Sequence, residues 1–306
     1  MEEKKPTVIV ICGPTASGKT SLGIKLANKI NGEIISCDSM QIYKKMDIGT
    51  AKPTAAERKE ATHHLIGFIE PDQRYSVADF KKDAEEKIKE ILSKNKTPIL
   101  VGGTGLYINS LIYNIEFREE VTDLEYRKKL EEYDLEKLYE EAKKIDPKSI
   151  EKISPNDRKR ISRVLEIFHT TGKTKTDLEK ESRKELKYNY IIFVLNMDRE
   201  KLYERINKRV DSMISEGLVN EVKTLLKEYK DFPTAMQGLG YKEVVEYLNL
   251  ELTKQEMIEK IKQESRRYAK RQLTWFRRYE NTIWLDAENK DNINIILEEI
   301  SEKARE

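Results

Sequence analysis

The sequence predicts an α/β fold: a parallel sheet flanked by helices, with an inserted all-helical domain. Three observations carry that expectation. Short β-branched runs alternate with amphipathic helical stretches, the pattern of strands joined by crossover helices. Three of the runs end in loops of glycine, acid or hydroxyl residues, where such sheets bind ligands. A long, charge-rich stretch without glycine then separates the early strands from a later one.

Residues 7–11 (TVIVI) form a continuous β-branched run ended by Gly13, which reads as a strand buried on both faces. Leu22, Leu26 and Ile30 follow at spacings of four, a helical stripe. Residues 33–36 (EIIS) lead to Asp38, and residues 98–101 (PILV) lead to Gly102 and Gly103. Between them, 77–92 places Phe80, Ala84, Ile88 and Ile91 on one helical face. No glycine occurs between Gly105 and Gly172, where Leu130, Leu135, Leu138 and Ile145 recur at helical spacing. Residues 190–197 (YIIFVLNM) resume strand character, and 201–230 and 254–279 read as long amphipathic helices. The expected organisation is a catalytic core in two pieces, 1–114 and 187–306, around a helical insert at 115–186.

Composition narrows the class. The chain has 306 residues, 37% of them charged, and no apolar run near the roughly 20 residues that span a bilayer. A cytoplasmic protein with no membrane partner, acting as a monomer, is expected. Cys12 and Cys37 are the only cysteines, too few for a disulfide framework and without the ligand spacing of a zinc site, so both read as packing residues. A net charge of +2 does not announce a nucleic-acid partner, which must be sought in local clusters.

Gly13, Pro14, Thr15, Ala16, Ser17, Gly18, Lys19 and Thr20 satisfy GxxxxGK[ST] at a strand-to-helix junction, the P-loop pattern. Backbone N–H groups at such a turn point at an anion, the helix dipole adds to them, and Lys19 supplies a point charge. Thr20 is the expected ligand of Mg2+. Asp38, Ser39, Met40 and Gln41 set an acid, a hydroxyl and an amide in one short loop, suited to a planar polar partner and to accepting a proton. Gly102, Gly103 and Gly105 allow close approach of a ligand to the backbone, with Thr104 offering its hydroxyl. His63 and His64 read as partners of backbone groups before a metal site. Two basic segments, 158–163 and 266–278, are candidates for RNA phosphates; in the second, Tyr268, Trp275 and Phe276 are either stacking surfaces or core.

Taken in order, GPTASGKT (13–20), DSMQIY (38–43), GTAKP (49–53), VGGTGLY (101–107), RKRISRVLE (158–166), QGLGYKE (237–243) and YAKRQLTWFRR (268–278) resemble the bacterial tRNA dimethylallyltransferase family. The resemblance implies a P-loop NTPase-like fold. It also implies transfer of a dimethylallyl group from dimethylallyl diphosphate to the exocyclic amine of the adenosine 3′ to the tRNA anticodon. By the same resemblance Asp38 is the base, with Thr104 and Lys19 beside it as catalytic residues. Residues 13–20 and Arg209 bind the diphosphate. Asp38, Ser39, Met40, Gln41 and Thr104 meet the target nucleotide, while Arg127, Lys159, Arg160, Ile161, Ser162 and Arg163 of the insert hold the RNA. A P-loop kinase of a small molecule or nucleoside accounts for 13–20 and Asp38 equally well but leaves the basic segments idle. Whether a nucleoside triphosphate also occupies the P-loop stays open on the sequence.

Overall fold

The computed structural model describes residues 5–117 and 123–305, so the expected outer limits at 1 and 306 lie outside the described residues. The chain divides into two compact units, residues 1–112 with 187–306 and Tyr113–Leu186.

The first unit begins with β1 (Thr7–Cys12), α1 (Lys19–Ile30), β2 (Gly32–Cys37), α2 (Ala55–Glu60), the two-residue β3 (His63–His64), α3 (Val77–Ser93), β4 (Thr97–Gly102) and α4 (Gly105–Ile112). The second unit holds α5 (Leu124–Glu131), α6 (Leu135–Ile145), α7 (Pro147–Ile150), α8 (Arg158–Thr171) and α9 (Lys175–Ser182). The first unit resumes with β5 (Asn189–Asn196), α10 (Arg199–Glu216), α11 (Leu218–Glu228), α12 (Tyr241–Leu248), α13 (Lys254–Phe276), β6 (Thr282–Asp286) and α14 (Asn292–Arg305).

The six strands form one sheet in the order β3-β2-β4-β1-β5-β6, every pair parallel. Side chains alternate faces along β1, and both sets are buried: Ile9 and Ile11 on one side, Val8 and Val10 on the other. Ile9 and Ile11 pack with Ile24 and Leu26 of α1 and Ile296 of α14. On the α3 side Phe80 stacks on Tyr107, ring centroids 4.0 Å apart. Each such buried Ile, Leu or Phe stabilises the fold by about 1.5–3 kcal/mol. Cys12 and Cys37 are buried free thiols in this sheet, and burial pushes both well above the ordinary thiol range.

A second core joins the loop after β2 to the helices: Ile42, Tyr43 and Met46 pack against Val210, Val222, Tyr241 and Met257. The helical unit has its own, with Leu130, Leu138, Ile161 and Val164 at its centre and Leu135 and Ile145 at its margin. The single helix expected over 201–230 is two. Gly217 sits at φ +103°, left-handed backbone that closes α10 and opens α11, and helical periodicity on either side hides the break. The strands β3 and β6 were not read from the sequence: one is two residues long, the other half-exposed.

Candidate active site

The strand register sets the site. Cys12 of β1 lies level with Gly102 of β4, which lies level with Cys37 of β2. The loops beginning at Gly13, Gly103 and Asp38 therefore leave three adjacent strands at the same height, at their carboxyl ends. They share one cleft, lined among others by Thr15, Lys19, Thr20, Asp38, Gln41, Gly103, Arg209, Tyr268 and Gln272.

On one side is the P-loop. Helices α3 and α13 are closed at their starts by capping boxes, Ser76 with Asp79 and Thr253 with Glu256. Helix α1 has no side-chain cap, so the first-turn N–H groups after Gly18 stay available to an anion. Lys19 Nζ donates to the Pro14 carbonyl at 2.6 Å. Burial, with the nearby Arg209, pushes the Lys19 ammonium down to about 8. Arg209 of α10 reaches in and donates to Thr15 Oγ1 at 3.4 Å; burial acts against its charge and Asp38 opposes that. Ser17 Oγ is buried beside this turn without a hydrogen-bond partner among the described residues. Two cations, a run of amides and an orphaned hydroxyl gather donors suited to an anion.

Facing it is the loop after β2. Asp38 Oδ1 accepts from the Met40 N–H at 2.9 Å and the Gln41 N–H at 3.2 Å, so one carboxylate oxygen fixes the group and Oδ2 is left for a substrate. Thr104 Oγ1 accepts from the Ser39 N–H at 3.0 Å, and the Thr104 N–H donates to the Cys37 carbonyl at 3.1 Å. The Gln41 amide donates to the carbonyls of Thr50 and Ala51. That 47–51 segment is itself gripped by Glu221 of α11, which accepts from the N–H groups of Asp47, Ile48 and Gly49 and from Tyr241 Oη.

The sequence gives Gln272 no role and offers Tyr268 only as a stacking surface or core residue, yet both line the cleft from α13. Burial pushes the Tyr268 phenol up to about 12, and its hydroxyl reaches toward Thr104 and Gln272. The available signal was a lone amide within the apolar stripe of Met257, Ile261, Ala269 and Phe276. The rest of 266–278 resolves its ambiguity. Phe276 is core and Trp275 donates to Asn109, whereas Arg267, Lys270, Arg271, Arg277 and Arg278 are exposed. The segment offers cations to solvent and keeps Trp275 and Phe276 inward, so of the two alternatives the core reading holds for these two.

In the helical unit the expected RNA residues separate. Lys159 and Arg160 are exposed, Arg160 paired with Asp157 at 3.3 Å. Ser162 and Arg163 are half-buried. Arg127 makes a two-point contact with Glu166, both distances 2.9 Å, and Arg163 meets the same carboxylate at 3.2 Å. Ile161 is fully buried, and its side chain falls on the apolar face that α8 turns to Leu138.

His63 Nδ1 lies 2.8 Å from the Ala61 carbonyl, and burial pulls the ring below the ordinary histidine range. His64 meets the buried Glu33 carboxylate at 2.7 Å rather than backbone. No cluster of three His, Cys, Asp or Glu groups fit for a metal occurs among the described residues. A hard cation has a different fit here: Thr20 supplies a hydroxyl oxygen on the wall where a diphosphate would add its own.

The IPP transferase family model matches residues 41–279, a span that starts after the P-loop. The tRNA dimethylallyltransferase of Acetivibrio thermocellus is 52% identical over 299 residues, covering 96% of both chains. That of Anoxybacillus flavithermus is 50% identical, covering 91% of this chain and 90% of its own. Among solved structures, the full-length tRNA isopentenylpyrophosphate transferase of Bacillus halodurans has a TM-score of 0.74 at 42% identity, with 99% of each chain covered. A eukaryotic dimethylallyltransferase acting on tRNA reaches 0.80 at 33% identity, covering 96% of this chain and 78% of that one.

Proposed function

The chain belongs to the IPP transferase family, and on that premise we propose that it transfers a dimethylallyl group from dimethylallyl diphosphate to the exocyclic amine of the adenosine 3′ to the tRNA anticodon. One observation carries the chemistry: an uncapped, cationic loop and a carboxylate stand on opposite walls of one cleft. The allylic C–O bond breaks as the C–N bond forms, and the diphosphate leaves with the bonding pair. Lys19, Arg209 and the first-turn amides of α1 stabilise that developing charge. The adenine amine is a poor nucleophile because its lone pair is delocalised into the ring, so its proton passes to Asp38 as the new bond forms.

Thr20 and the diphosphate oxygens would hold Mg2+, which supplies further neutralisation of the leaving group when bound. The target base must be extruded from the anticodon loop to reach a recessed cleft, and unpaired loop bases are the least costly to extrude. Ser39, Gln41 and Thr104 frame it beside Asp38, and Lys159 and Arg160 of the helical unit take RNA phosphates. In this reading the enzyme acts as a monomer on cytoplasmic tRNA. Among the described residues no helix is long and apolar enough to cross a membrane. A kinase would use Lys19 and Asp38 alike, but the relatives matched over nearly the whole chain are tRNA dimethylallyltransferases.

The test is incubation with magnesium, radiolabelled dimethylallyl diphosphate and unmodified tRNA whose anticodon is followed by adenosine. Label is expected in the RNA. Unlabelled RNA, together with consumption of ATP and a phosphorylated small product, would sink the proposal.

A further inference from the structure

Helix α13 carries one amide that touches both reactive loops. Gln272 Oε1 accepts from the Thr15 N–H at 2.8 Å, and Nε2 donates to the Gly103 carbonyl at 2.9 Å. Chemistry fixes which end is which: turned over, the NH2 would face an N–H and the carbonyl a carbonyl. Gln272 is buried. Thr15 belongs to the P-loop, whereas Gly103 precedes Thr104, whose hydroxyl holds the Ser39 N–H next to Asp38. A continuous path of bonds thus runs from the phosphate loop to the carboxylate loop through a side chain distant in sequence from both.

A steric observation agrees. A Cβ on Gly103 would lie 2.2 Å from Gln272 Nε2, while its next neighbours, Gln272 Cδ at 3.4 Å and the Gly13 carbonyl at 3.5 Å, stand at or near ordinary contact. The amide occupies the volume that a Cβ on Gly103 would need.

We propose that Gln272 is a positioning residue that couples the two loops, so that loading of diphosphate and seating of the acceptor base strengthen one another. The inference rests on the function proposed above. Coupling of this kind is reciprocal: if RNA tightens the diphosphate site, diphosphate tightens RNA by the same factor.

The experiment is calorimetric titration of the full chain with magnesium pyrophosphate, in the presence and absence of an anticodon stem-loop RNA bearing the target adenosine. RNA is expected to tighten pyrophosphate binding about five-fold or more in the wild type, the lower range of such couplings. Gln272→Ala should bring that ratio to about one, and so should Gly103→Ala, which displaces the same amide. The double variant should be no worse than Gln272→Ala, because the new methyl enters the emptied volume; contacting residues behave non-additively in this way. Should Gln272→Ala fold poorly, Gln272→Met keeps the bulk, removes both bonds and is expected to show the same ratio. A purely structural role would weaken binding equally with and without RNA and leave the ratio unchanged. A wild-type ratio of one, a wild-type ratio in Gln272→Met, or losses that multiply in the double variant would overturn the inference. A wild type that moves no label to tRNA overturns the functional reading instead.

Discussion

The two walls of the cleft are built by opposite means. The phosphate wall is made mostly of backbone: a helix start left uncapped, with two cations, Lys19 and Arg209, brought in under burial. The acceptor wall is made of side chains held by backbone, since Asp38 is pinned by two amides of its own loop and Ser39 by Thr104. On the proposed function, the difference assigns binding of the leaving group and removal of the proton to different groups. A substitution at Asp38 should then lower transfer and spare pyrophosphate affinity, whereas one at Lys19 should lower both.

The largest expected effect is on the acceptor wall. Asp38→Ala should lower the transfer rate by about two orders of magnitude or more, the scale of lost general-base catalysis, while magnesium pyrophosphate binds as in the wild type. Titration calorimetry beside single-turnover transfer checks both halves, and parallel loss of both would erase the distinction between the walls. Next, Lys19→Ala should lower transfer by about a hundred-fold and also weaken pyrophosphate binding, as expected for a donor aimed at developing charge.

A smaller effect follows from pH. Lys19 is held down to about 8 by burial and Arg209, and a bound diphosphate favours its charged form. Below that value the ammonium is already present. As pH rises from 7 to 9 it is lost, so pyrophosphate affinity should fall several-fold, with proton uptake on binding largest above pH 8. Lys19→Ala should flatten this profile, and an unchanged slope would remove Lys19 from the phosphate wall. The smallest effect is on stability. Glu221→Ala orphans three N–H groups at 47–49, and a loss of about 2 kcal/mol in urea unfolding is expected.

The contrast between the walls also explains what the sequence could reveal. Both loops of the cleft were legible because each is local: Gly13 to Thr20 and Asp38 to Gln41 are short runs directly after β-branched strands, and the parallel pattern put them at the same end. What ties them was not. Gln272 reaches Thr15 across 257 positions, and its role depends on register between α13 and the sheet. Ile161 sat inside a basic run whose charges drew attention outward, while helical geometry turned it into the core. Arg127 and Arg163 share the carboxylate of Glu166, and for Arg127, 39 positions away, that pairing depends on how α5 packs on α8. At Gly217 the apolar period continues across the break, so periodicity hides it and only the glycine marks it.

The most direct measurement is to locate the transferred group. After reaction with labelled dimethylallyl diphosphate, the tRNA is digested to nucleosides and separated. The predicted result is label on a single modified adenosine, attached at the exocyclic nitrogen and lost when the nucleotide 3′ to the anticodon is changed to guanosine. Label on another nucleoside, or label that survives that change, would contradict an acceptor wall built to take a proton from an adenine amine.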